Sequence, residues 1–273
     1  MWLFTAVLPI LLLGDGHATT PAKPRSPWDA AIVIGASASA GFQNDDAFGK
    51  HPGIAAFLDA MLGRKPDQTQ SLATAMFFTN PTQIGKSMID AAVKADPTLV
   101  VGVDFLFWYA YGDVKADSER LAHLEDGLRL LERFTCPVVV ATLPDMSGAI
   151  GSMLSITQVP AVDVLDDLNE RIEAWCKARK NVVLIDLALL LEKMREHEPI
   201  TVRGKSPAKD APLLQDDKLH PTLDGLAIIA LQCMDALARN KVALPSDVLW
   251  DPAELVKAVK SAAPRAPAGA SSH

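Results

Sequence analysis

The sequence predicts an α/β domain of the doubly wound kind, a flavodoxin-like three-layer sandwich built on a five-stranded parallel sheet. Two observations carry that prediction. Five short runs are apolar without polar alternation, as strands buried on both faces require. They fall at 30–35 (AAIVIG), 72–78 (LATAMFF), 98–103 (TLVVGV), 137–143 (PVVVATL) and 181–187 (NVVLIDL). Between them lie segments of helical period, which suit the crossovers that parallel strands need.

The helical segments fall at 54–62, 84–95, 121–134, 164–179 and 223–239. In the third, Leu121, Leu124, Leu128 and Leu131 share a face; in the fourth, Val164, Leu165, Leu168, Ile172, Trp175 and Cys176 recur at three- and four-residue steps. A chain of 273 residues accommodates one such domain plus tails.

The tails have their own composition. Residues 1–13 read MWLFTAVLPILLL, too short a run to span a bilayer, and small residues follow at Gly16 and Ala18. This predicts a signal peptide over 1–18 and hence a secreted or periplasmic protein, with no stable membrane span in the mature chain. Residues 19–29, with three Pro beside Lys23, Arg25 and Ser26 and no apolar period, are expected to form a linker, and the domain to occupy 30–242. A C-terminal extension over 243–273 is expected to be largely disordered, with one short helix and an Ala, Pro and Ser tail.

Overall charge excludes one class of partner. With a formal net charge of -7 and no basic run, the chain lacks the clustered Lys and Arg that neutralise phosphates, so no nucleic-acid partner is expected. A hydrophobic fraction of 49% excludes wholesale disorder. Cys136, Cys176 and Cys233 lie far apart without metal-ligand spacing, so they read as buried free thiols and no metal site is expected.

Two segments carry chemistry. In a doubly wound sheet ligands gather beyond the carboxyl ends of the strands, and the first strand runs straight into Gly35-Ala36-Ser37-Ala38-Ser39-Ala40-Gly41. Small residues there suit either a phosphate-binding loop or a nucleophile loop whose serine N–H assists an oxyanion; neither GxGxxG nor the Walker pattern is present. The second segment is Asp217-Lys218-Leu219-His220, just before the last long helix. Three-residue spacing brings both side chains to one side, where the carboxylate can orient the imidazole, although the pair can also simply cap the helix.

Taken together the two segments resemble the SGNH, or GDSL-type, hydrolase family, over roughly residues 30–239. Gly35, Ser37 and Gly41 match its Gly-Asp-Ser-x-x-x-Gly block with Ala36 in place of the Asp, and Asp217-x-x-His220 matches its terminal block. The resemblance implies Ser37 as nucleophile, His220 as base and Asp217 as the orienting carboxylate, with no cofactor. It also implies an oxyanion hole, for which Ser37, Thr79, Asn80 and Asp104 are candidates. Thr79 or Asn80 replaces the Gly expected after the second strand, and Asp104, in Gly102-Val103-Asp104-Phe105, occupies the place of an Asn.

That last departure matters because an ionised carboxylate only accepts. Asp104 therefore either donates as a protonated acid, held neutral by its aromatic surroundings, or serves a structural hydrogen bond. Phe105, Trp108 and Asp145 are the candidate substrate-pocket residues, by position after the third and fourth strands; aromatics there also suit a core and Asp145 a turn.

The expected activity is cleavage of a small-molecule or glycan-bound carboxylic ester through an acyl-enzyme. Transfer of the acyl group to a carbohydrate hydroxyl is the alternative within the same chemistry. A binding protein whose oxyanion hole has decayed is the alternative outside it, and a nucleotide-binding flavodoxin-like protein would leave Asp217 and His220 without a role. The sequence leaves the oligomeric state open.

Overall fold

Runs of Val and Ile without polar alternation need cover on both faces, and two groups of helices provide it. The computed structural model describes residues 25–44 and 51–262. Its strands are β1 (Ala31–Val33), β2 (Gln70–Ser71), β3 (Leu99–Gly102), β4 (Val138–Ala141) and β5 (Val182–Ile185). All pairings are parallel and the sheet order is β2-β1-β3-β4-β5, the flavodoxin order. Every residue of β1, β3 and β4 is buried, whereas β2 is exposed and β5 is half-buried at alternate positions, as the two edges of a sheet should be. Register stacks Ile32, Val100, Val138 and Val182 across the sheet.

The helices are α1 (Ser37–Ala40), α2 (Ile54–Met61), α3 (Pro81–Lys94), α4 (Phe107–Ala110), α5 (Asp117–Leu131), α6 (Val162–Lys177), α7 (Leu187–Arg195), α8 (Leu223–Arg239) and α9 (Pro252–Ala262). One group packs α3 on α5 and α5 on α6; the other packs α2, α8 and α9 together. Helix α8 is buried almost all round, with Leu226, Ile228, Leu231 and Cys233 fully covered. Thr222 fixes its start by accepting from the Gly225 N–H.

The second strand departs from expectation. The ladder is made by Gln70–Ser71 and extended only by the Leu72 N–H to Val33 and the Thr74 N–H to Gly35. Residues Ala75–Thr79 then form a 3-10 turn that Thr74 caps. The apolar run read as a strand sends Phe77 into the core and leaves Met76 and Phe78 exposed. Asn80 as cap and Pro81 at the first helical position start α3 immediately afterwards. The short α4 and the whole of α7 also lie beyond the sequence reading; Asp186 caps α7 by accepting from the Leu189 N–H.

Both ends of the domain are more engaged than their composition suggests. Trp28, in the expected linker, is 3% exposed and its indole N–H donates to the Ala243 carbonyl at 2.8 Å. Thr98 Oγ1 donates to the Pro27 carbonyl. Over its described residues the C-terminal extension is ordered: the Leu249 N–H reaches Met61, and α9 buries Leu255, Val256 and Val259 against α2 and α8. The signal-peptide reading of 1–18, residues 19–24 and the tail from 263 lie outside the described residues.

The three cysteines are free, and burial pushes Cys136 up to about 11 and Cys176 and Cys233 up to about 12, so they stay protonated at neutral pH. Among the described residues no helix is long and apolar enough to cross a membrane.

Because Trp28 is enclosed and hydrogen-bonded, Trp28→Ala should destabilise the chain by about 3 kcal/mol or more in urea unfolding. A change within about 0.5 kcal/mol would show that residues 25–29 contribute no packing.

Candidate active site

The switch point of this sheet lies between β1 and β3, which carry the chain to neighbouring positions before turning to opposite sides. The loop after β1 and the residue two beyond β3 meet there. Asp104 is 8% exposed, and its carboxylate is an acceptor for that loop. Oδ1 accepts from the Ala36 N–H at 2.9 Å and from Ser39 Oγ at 2.5 Å; Oδ2 accepts from the Ser39 N–H at 3.1 Å.

Glycine is required on both sides of this clamp. A Cβ on Gly35 would lie 2.1 Å from Asp104 Oδ1, and Gly35 has φ +147. Gly41 ends α1 at φ +78, and a Cβ there would meet the Pro52 carbonyl at 2.5 Å. Both are conformations that only glycine adopts without strain.

With Ser39 engaged by Asp104 and 1% exposed, Ser37 is the serine left at the surface of the loop. Its Oγ lies 2.9 Å from His220 Nε2. His220 Nδ1 lies 2.7 Å from Asp217 Oδ2. The other carboxylate oxygen, Asp217 Oδ1, accepts from the N–H groups of Leu219 and His220 at 2.9 Å each and so builds the turn itself. Lys218 takes φ 57 to make that turn.

Burial alone would raise the Asp217 pKa, but the His220 and Leu219 N–H bonds and the imidazole together outweigh it and hold the carboxyl below its ordinary value. An ionised Asp217 fixes the proton of a neutral imidazole on Nδ1, which leaves Nε2 to accept from the serine hydroxyl. Phe42 packs against the ring at 4.7 Å between centroids. The Gln215 side chain donates to the Phe42 and Pro221 carbonyls and Asn44 to Pro221, bracing the turn.

The first helical bond of α1 runs from the Ala40 N–H to Ala36, so the N–H groups of Ser37 and Ala38 precede any acceptor within the helix. They are donors of the kind an oxyanion needs. Thr79 and Asn80 are not brought to this place. Both are exposed; Thr79 Oγ1 donates to the Met76 carbonyl, and Asn80 is occupied with Gln83 at the start of α3.

The substrate-pocket candidates fare differently from one another. Beside Ser37 a pocket is lined by Phe107, Leu143, Met146, Leu187 and Leu191, none of them singled out by sequence. Phe105 is fully buried between Phe77 and Tyr109 instead. Trp108 lines a separate pocket with Phe78 and Tyr109. Asp145 accepts from the Ser147 N–H and hydroxyl, which is a turn role. Period alone could not separate Phe105 from Phe107, because both follow a buried strand and only the short α4 decides which faces the cleft. Among the described residues no group of His, Cys, Asp and Glu is arranged to hold a metal ion.

No protein-family profile matches the chain, and no curated protein does. Solved structures share its fold. A lipase/acylhydrolase from Enterococcus faecalis is 18% identical, with a TM-score of 0.50 over 79% of this chain and 100% of that one. BT4096, a gut microbial diltiazem-metabolizing enzyme, is 11% identical, with a TM-score of 0.51 over 79% of this chain and 48% of that one. The chain therefore spans about half the length of the latter. The shared feature is the α/β architecture, which occurs in hydrolases of known structure.

Asp104→Asn sets an amide N–H against at least one N–H or hydroxyl donor of the loop. It should cost about 1–3 kcal/mol in stability and lower any turnover at Ser37 by at least about 10-fold through displacement of the loop. Urea unfolding and ester kinetics check this. A rate gain of about 10²-fold or more would instead mean that the carboxylate repels a developing oxyanion.

Proposed function

We propose that the protein is a serine hydrolase acting on carboxylic esters through an acyl-enzyme on Ser37. The observation that carries this reading is the continuous hydrogen-bonded chain from Asp217 through His220 to Ser37, set beside an apolar pocket at the carboxyl end of the sheet. Neither a phosphate-binding loop nor a helix cap requires that chain. The block Gly35, Ser37 and Gly41 with Asp217-x-x-His220 favours the SGNH type among hydrolases.

In this mechanism His220 Nε2 takes the Ser37 hydroxyl proton as Oγ bonds to the ester carbonyl carbon. The carbonyl oxygen becomes an oxyanion beside the N–H groups of Ser37 and Ala38. Asp217 holds the ring and stabilises the imidazolium while it exists. Collapse of the intermediate breaks the bond to the alcohol oxygen, which leaves with the proton from His220. Water then repeats the sequence on the acyl-enzyme, releasing the acid and restoring Ser37. Asp104 touches no reacting atom; it positions the nucleophile loop.

Turnover of aryl acetate should fall by at least about 10³-fold in each of Ser37→Ala, His220→Ala and Asp217→Asn, with the Ser37→Ala fold unchanged by circular dichroism. Wild-type turnover in Ser37→Ala would remove Ser37 as the nucleophile.

A further inference from the structure

The pocket beside Ser37 has a chemistry and a size of its own. Its walls come from Phe107 of α4, Leu143 and Met146 after β4, Leu187 and Leu191 of α7, and Ile229 of α8. The polar side chains on the wall are already committed. Ser39 Oγ donates to Asp104, and Asp104 accepts from three donors. Thr142 Oγ1 donates to Asp186 and accepts from the Ala188 N–H. Only Ser37 and His220 present groups with chemistry to perform. Away from Ser37 and His220 the side chains on the wall are mostly apolar, so a hydroxyl or charge on a substrate group there would be desolvated with little compensation.

The cavity volume is about 40 Å³. On this scale one water needs roughly 10–15 Å³, so the space holds about three heavy atoms. The wall also includes Leu226 and Ile229, 0% and 2% exposed, on a helix enclosed on nearly every side. Interiors packed to this density do not yield a further methylene without strain.

We infer that the pocket is an acyl-chain site and that the protein's substrates are esters of short, unsubstituted aliphatic acids, acetyl through butyryl. This rests on the ester-hydrolase reading above. The carbonyl carbon sits at Ser37, up to three further carbons fill the cavity, and the alcohol portion stays on the solvent side.

The test is kcat/KM of the full chain on p-nitrophenyl acetate, butyrate, octanoate and laurate. Acetate or butyrate should exceed octanoate by at least about 10-fold, the size of effect that one or two misplaced methylenes have in an apolar pocket. Met146→Ala and Leu191→Ala, each checked by urea unfolding, should raise the octanoate-to-butyrate ratio about 10-fold. Two variants are used because either truncation of a buried side chain can unfold the protein; the wild-type profile requires neither. Turnover that is level or rising to laurate overturns the acyl-site inference and leaves the hydrolase reading standing. A cut-off unchanged in the folded variants overturns it equally, since the chain would then lie elsewhere. No turnover of any ester overturns both.

Discussion

The geometry of the candidate site depends on one carboxylate. Asp104 reaches from the end of β3 to the loop after β1 and collects the Ala36 N–H, the Ser39 N–H and the Ser39 hydroxyl. Without it, a loop of Gly, Ala and Ser has no large side chain to anchor it, and its N–H groups would have to find acceptors in a buried place. The clamp selects between two serines: it ties Ser39 down and leaves Ser37 facing His220. Gly35 is the other half of the constraint, since any Cβ there would occupy the position of the carboxylate oxygen.

The sheet supplies what the clamp needs. Strands β1 and β3 are adjacent, both fully buried, and held in register by Val and Ile side chains covered on both faces. Their carboxyl ends are therefore fixed relative to each other. The Asp217 turn arrives independently, braced by Gln215 and Asn44 and fixed at its far side by the Thr222 cap of α8. Three rigid pieces, each with its own local reason to hold its shape, bring three side chains into hydrogen-bonding sequence.

Most of this architecture was legible in the chain because it is written in short range. The central strands are uninterrupted apolar runs rich in Val and Ile, and α8 has the limits its sequence predicts because Thr222 and Asn240 bracket a continuous apolar period. The Asp217 and His220 pairing is a three-residue spacing and was equally local. What escaped was decided at long range or by a turn. The segment around Phe77 has strand composition, but it folds as a 3-10 turn that Thr74 caps and that runs into the start of α3 at Asn80 and Pro81. The partner of Asp104 lies 65 to 68 residues away in sequence, so its structural alternative could be stated but not chosen. Thr79 and Asn80 were placed by counting from a strand that ends earlier than its composition suggests. Trp28 lies in a stretch whose composition reads as tether, and its burial and its bond to Ala243 are made at long range.

The central claim is that Ser37 is an activated nucleophile while Ser39, two residues away, is held inert by Asp104. Reaction of the full chain with a fluorophosphonate, followed by peptide mass spectrometry, tests it most directly, because phosphonylation requires a base-assisted hydroxyl. The account predicts one adduct per chain, on Ser37, lost in His220→Ala. An adduct on Ser39, or no adduct on a folded chain, would contradict it.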